Sequence, residues 1–267
     1  MRRVPILLLV LALAVAAAPA GCAGPEAAAS SPPPDADLLA RVLAIETGQA
    51  TLHFATRPGV WGEGGSICVE DDDTDWQRPR RYRQGPLHLR LDFADGRLVE
   101  LAFDVGQPPP AGSGRELALG ELAPARASTL LLDLAERVPG PAAEDLILPA
   151  TLARDVETWP RLLALARNPA LAADLREQAV FWLGQDAAQA AGEGLTAILA
   201  DDDADLVLRE QAIFALSLRE GEAALTPLLR IARESPHPQL REKALFWLAQ
   251  RDDPRVLALF EDILLAR

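Results

Sequence analysis

The phrase LREQAVFWLGQ, Leu175 to Gln185, returns as LREQAIFALSL from Leu208 and as LREKALFWLAQ from Leu240. The offsets are 33 and 32 residues. Self-similarity at that period marks a row of stacked repeats, each burying its apolar face on the next, rather than a closed globule.

Each copy reads as the second helix of a helical pair. At 100° per residue, Leu175, Ala179, Trp182 and Leu183 share one arc, as do Leu208, Ala212, Ala215 and Leu216, and Leu240, Ala244, Trp247 and Leu248. That arc faces the partner helix. Phe181, Phe214 and Phe246 fall outside it, beside Glu177, Glu210 and Glu242. A helix apolar on more than one face needs cover on more than one, and neighbouring repeats supply it. The flanking helices are expected over Trp159 to Arg167, Ala188 to Ala200, Glu220 to Arg233 and Pro254 to Ala266, separated by acidic or Pro-bearing turns. Upstream, Ala125 to Val138 reads as a helix ended by Pro139-Gly140-Pro141, with Ala142 to Arg154 as its partner.

The elements Leu175-Arg176, Ala179 and Leu183, with their equivalents in the next two copies, resemble HEAT repeats, particularly the bacterial HEAT-like units also found in phycobilin lyases. The resemblance covers Trp159 to Arg267. It implies a short α-solenoid and says little about function, because fold does not fix function.

The chain opens with Arg2 and Arg3, an apolar run from Val4 to Ala18 and then small residues, the pattern of an export signal and too short to favour a permanent membrane span. Ala18-Pro19-Ala20 fits ordinary signal cleavage, whereas Ala20-Gly21-Cys22 resembles the end of a bacterial lipobox, which implies acylation of Cys22. Either route takes the chain to a bacterial cell envelope, periplasm or exterior. The expected organisation is a signal over 1–21, a Pro-rich tether over 22–35, a small β-rich domain over 36–106, a Pro/Gly linker over 107–120 and the helical repeats over 121–267.

In the β-rich region, Thr51 to Ala55 and Ser66 to Glu70 alternate as short strands, and Ala36 to Ile45 reads as a short helix. A hairpin spans Leu87 to Val105 around Ala94-Asp95-Gly96. A two-residue turn there sets the two apolar rows on opposite faces. A three-residue loop instead pairs Leu91 with Val99, Leu89 with Leu101 and Leu87 with Phe103, and opposes Arg90 to Glu100.

Little of this carries chemistry. His53, His88 and Cys68 have ligand character, but both histidines lie on polar strand faces and lack metal-site spacing. Asp71, Asp73 and Asp75 begin like a calcium loop, yet Trp76 stands where Gly is needed and Tyr82 where Glu is needed. The acidic run reads as a surface loop neutralised by Arg78 to Arg83, and Asp201 to Asp205 reads as helix capping. With three histidines separated in sequence, no phosphate loop and no nucleophile–base pair, neither a catalytic set nor a cofactor is expected.

A formal charge of −13 repels nucleic acid and anionic lipid. The recurrent Arg176-Glu177, Arg209-Glu210 and Arg241-Glu242 read as an inter-repeat ion-pair ladder, with a partner-facing stripe as the competing reading. The candidate binding residues are Glu177, Gln178, Glu210, Gln211, Glu242 and Lys243, on the exposed side of the second helices. The expectation is a non-catalytic exported scaffold for a protein partner, touching the membrane only through a lipid anchor. The alternative is a bilin-lyase-like enzyme or cofactor-attachment accessory.

Overall fold

The computed structural model describes residues 35–69, 82–186 and 189–265. The signal, Cys22, the tether and most of the acidic and basic loop after Val69 lie outside them. About half of the chain is helical, and a small mixed sheet precedes most of the helices. The elements in order are α1 (Asp35–Leu43), β1 (Gly48–Phe54), β2 (Val60–Glu63), β3 (Ser66–Val69), β4 (Leu87–Ala94), β5 (Arg97–Val105) and β6 (Glu116–Glu121), then α2 (Pro124–Arg137), a 3-10 turn at Glu144–Leu146 and α3 (Ile147–Thr151). The repeat region follows as α4 (Trp159–Arg167), α5 (Ala173–Gln185), α6 (Gln189–Leu199), α7 (Leu206–Ser217), α8 (Glu222–Glu234), α9 (Pro238–Leu248) and α10 (Pro254–Leu265).

The sheet runs β5-β4-β1-β6, with β1 antiparallel to β4 and parallel to β6, while β2 and β3 form a separate ribbon. Alternation does the sorting. Ala50, Leu52 and Phe54 of β1 and Leu87, Leu89, Leu91 and Phe93 of β4 are buried, and α2 packs on β1 and on α1.

The hairpin differs from its expected register. Asp95 and Gly96 form a two-residue turn, both left-handed at φ 52° and 69°, closed by the Ala94–Arg97 pair. Parity is restored by a bulge: Phe93 pairs with Leu98 and Asp92 with Glu100, leaving Val99 as the extra residue, 44% exposed. Beyond it Leu91 faces Leu101, Leu89 faces Phe103 and Leu87 faces Val105. Arg90 therefore sits opposite Ala102 and reaches Glu100 diagonally at 3.3 Å.

The expected linker also contributes structure. Glu116–Glu121 is strand β6, and the register shift between Thr51 and Leu52 lets Leu117 and Leu119 lean on the core. Gln107 to Gly112 crosses the polar side of the sheet as a strap, held where Gln107 donates to Asp104 at 2.8 Å and Arg90 donates to the Pro110 carbonyl. Backbone bonds join sheet to helices, from Arg57 to Leu152 at 2.8 Å, Arg154 to Ala55 at 3.1 Å and Leu98 to Pro139 at 2.9 Å. From Pro34 onward the described residues form one compact unit. The expected helix over 142–154 is split, because Pro149 has no N–H to donate and the chain turns to pair Ala153 with Thr56.

In the repeat region α5 stacks on α7 and α7 on α9, while α4 packs on α6 and α6 on α8. Leu175, Ala179 and Leu183, Leu208, Ala212 and Leu216, and Leu240, Ala244 and Leu248 are buried on the expected arc. Val180 and Ile213 are fully buried outside it, which is the second covered face that the sequence pattern requires. Asp205 caps α7 by accepting from Leu208 N at 2.8 Å, and Asp253 accepts from Arg255 N at 2.9 Å ahead of α10. Among the described residues no helix is long and apolar enough to cross a membrane.

Candidate interaction face

Three sets of side-chain bonds recur along the second helices in successive copies. In the first set, the arginine after the opening leucine reaches back to the end of the preceding helix. Arg176 donates to Ala166 O at 3.2 Å, Arg209 to Leu199 O at 2.9 Å and Arg241 to Ser235 O at 2.7 Å. These carbonyls have no helical donor of their own, so each guanidinium satisfies a group that would otherwise be orphaned. The same arginines reach forward to the residue before the next second helix, Arg176 to Asp205 at 2.8 Å and Arg209 to His237 Nε2 at 3.2 Å.

The second set holds the expected binding residues. Gln211 Nε2 donates to Glu177 Oε2 at 3.1 Å, and Lys243 Nζ lies 3.3 Å from Glu210 Oε2. Four of the six candidates thus pair with each other across neighbouring copies. Gln178 and Glu242, at the two ends of the row, are exposed. The third set closes the far ends: Arg219 donates to Asp186 O, and Arg251 donates to Ser217 O at 2.6 Å and Arg219 O at 3.0 Å.

Aromatic rings run beside the polar row. Phe181 stacks on Phe214 with centroids 6.2 Å apart, and Phe214 meets Trp247 at 5.3 Å. Phe181 and Phe214 are half-buried, whereas Phe246 at the last copy is 59% exposed. The three equivalent phenylalanines therefore have different surroundings, because only the first two have a following second helix to lie against.

At the first copy the row opens into a recess of about 400 Å³ lined by Glu144, Asp174, Glu177, Gln178, Phe181 and Gln211. Sequence reasoning finds the α5 and α7 residues but not Glu144, which comes from the 3-10 turn well upstream, nor Asp174, whose role depends on that turn docking against α5. Burial, then Asp174, then Asp145 push the Glu144 carboxyl above its ordinary value. Negative charge is crowded here without a matching cation among the residues that line it.

The sheet brings together two further residues that look unrelated in sequence. His53 faces His88 across β1 and β4, and their rings stack at 4.9 Å. Asp104 lies opposite His88 on β5. Burial, then His53, lower the His88 pKa, and Asp104 pulls it the other way. The pair borders a cavity of about 260 Å³ under the strap, into which the buried Gln49 also faces. Asp104 is spent on Gly64 N, Val105 N and Gln107, so it is not a free third ligand. Among the described residues no group of three or more His, Cys, Asp and Glu could hold a metal ion.

Comparison with protein-family models, with curated proteins and with solved structures returns no match.

Proposed function

We propose that the chain is a non-catalytic interaction scaffold, a short HEAT-like α-solenoid whose second-helix face binds a protein partner through a basic segment. The observation that carries this reading is the recess of Glu144, Asp174 and Glu177 around Phe181, with the half-buried Glu144 held above its ordinary pKa by burial and by like charge. A Lys or Arg side chain entering there relieves that repulsion and lays its alkyl stem on the ring. The bond sets at matching positions support a repeat stack, since nearest-neighbour interfaces of one kind are what holds such a stack together. A larger groove of about 700 Å³ on the α6 and α8 side has Glu193 and Glu222 balanced by Arg219 and Arg230, and so offers no preference of charge.

Export and acylation at Cys22 belong to the same proposal, with the membrane touched only through the lipid. Cys22→Ser then moves the protein from the membrane fraction to the soluble one. A wild type that is already fully soluble contradicts the anchor.

For the face itself, a photo-crosslinking side chain at Gln178 in the native envelope gives a discrete protein adduct, identified by mass spectrometry. The same group at Thr226, on the α8 side, gives none. Equal adducts from both positions, or none from Gln178, contradict the assignment.

A further inference from the structure

Trp182 meets Phe181, a residue of the acidic recess, edge to face with ring centroids 5.1 Å apart. It opens onto a separate cavity of about 450 Å³, where the loop before α4, the first turn of α4 and the end of α5 come together. Trp159 and Trp182, both half-buried, are among the residues that line it. Asp155 and Glu157 stand exposed at its edge, and Asp186 follows the last turn of α5. Asp155 has φ 55°, a left-handed conformation uncommon outside glycine, and it holds that carboxylate within the loop bordering the cavity.

We propose that this cavity is a binding site for an organic cation, a quaternary or protonated amine or a guanidinium. Indole faces attract cations through their quadrupole, and the effect grows as the cation is desolvated. Asp155 and Glu157 against Arg57 leave the lining net negative even with Asp186 set aside beside Arg219, which disfavours an anion. An uncharged apolar ligand would gain nothing from the carboxylates. A bare metal ion finds no set of three ligands among the described residues, and indoles offer it no lone pair. The volume admits a head group together with its stem, so a free amine and a basic side chain are both accommodated. The proposal is independent of whether the second-helix face binds a protein.

The test is a titration of the full chain with tetramethylammonium chloride and, separately, with N-acetyl-arginine amide, at constant ionic strength, against uncharged tert-butyl alcohol. Tryptophan fluorescence is the readout. A saturable change with at least one of the cations and none with the alcohol is expected, and the preferred cation identifies the source of the head group. Trp182→Leu weakens binding about tenfold. The double variant Asp155→Asn, Glu157→Gln weakens it about threefold, and because both side chains are exposed it tests the site even where Trp182→Leu fails to fold. Arg57→Ala, which removes the opposing charge, strengthens binding. Absence of saturation with both cations, an equal response to the alcohol, or unchanged affinity in the double variant overturns the proposal.

Discussion

Arg209 Nη2 donates to the carbonyl of Leu199 at 2.9 Å, so the first turn of α7 closes the last turn of α6. Arg209 is only 5% exposed, and its exposed partner Asp202 adds little beside that bond. Removing the guanidinium leaves a buried acceptor orphaned. Arg209→Met is expected to cost about 2–3 kcal/mol, and Arg176→Met or Arg241→Met, at half-buried positions, about 1 kcal/mol each. Urea unfolding midpoints with unchanged slope give the comparison.

Gly184 is the place where the usual rule for helix glycines reverses. Alanine in a helix interior normally gains up to about 1 kcal/mol over glycine, but a Cβ here would lie 2.8 Å from the Ala215 Cα and carbonyl oxygen of α7. Backbone cannot step aside as a flexible side chain can. Gly184→Ala is therefore expected to lose about 1–3 kcal/mol, measured by thermal and urea unfolding. A gain in stability contradicts the close approach of α5 and α7.

The aromatic row makes a graded prediction. Phe214, between Phe181 and Trp247, is expected to cost about 2 kcal/mol on truncation to alanine, below the fully buried range because it is half-buried. Phe246, 59% exposed, should stay within about 0.5 kcal/mol of wild type. Equal costs at the two positions contradict the difference in their surroundings.

How far the sequence leads depends on the distance over which each signal acts. The helical pairs from Trp159 onward are readable because the period repeats and the buried arc is local to each helix. Their partners in bonding are not: Arg176 and Glu177 look like rungs of an Arg–Glu ladder between repeats, yet Arg176 reaches Asp205 and Glu177 meets Gln211, because the docking of separate helices decides which side chains meet. In the sheet, alternation marks β4 and β5, but a single bulge at Val99 changes every later pairing, and alternation alone gives no sign of it. Strand β6 has only Leu117 and Leu119 as apolar signal, and it becomes a strand through β1, which lies far upstream. His53 meets His88 for the same reason, through a non-local pairing that no spacing encodes.

That histidine pair sets a pH dependence. The folded pKa of His88 lies below its ordinary 6.5, so the unfolded chain binds the proton more readily. Stability is therefore full above about pH 6.5 and falls as the pH drops through that value toward the folded pKa. Glu144, whose folded pKa is raised, acts with the opposite sign in the carboxylate range above 4.5. His88→Gln is expected to flatten the decline below about pH 6.5 while leaving the carboxylate part in place. Melting temperatures across that range decide it, and an unchanged slope in the variant contradicts the assignment to His88.

The measurement closest to the central claim is capture of the partner crosslinked from Gln178, compared between wild type and the variant Glu144→Gln, Asp174→Asn, Glu177→Gln. These changes keep size and, at Glu177, an acceptor for Gln211, so folding should be preserved by circular dichroism. Capture by the wild type is expected to fall between about 50 mM and 300 mM salt, and capture by the variant to be weak and nearly independent of salt. Equal capture by both proteins, with the same salt dependence, contradicts an acidic recess that reads a basic partner.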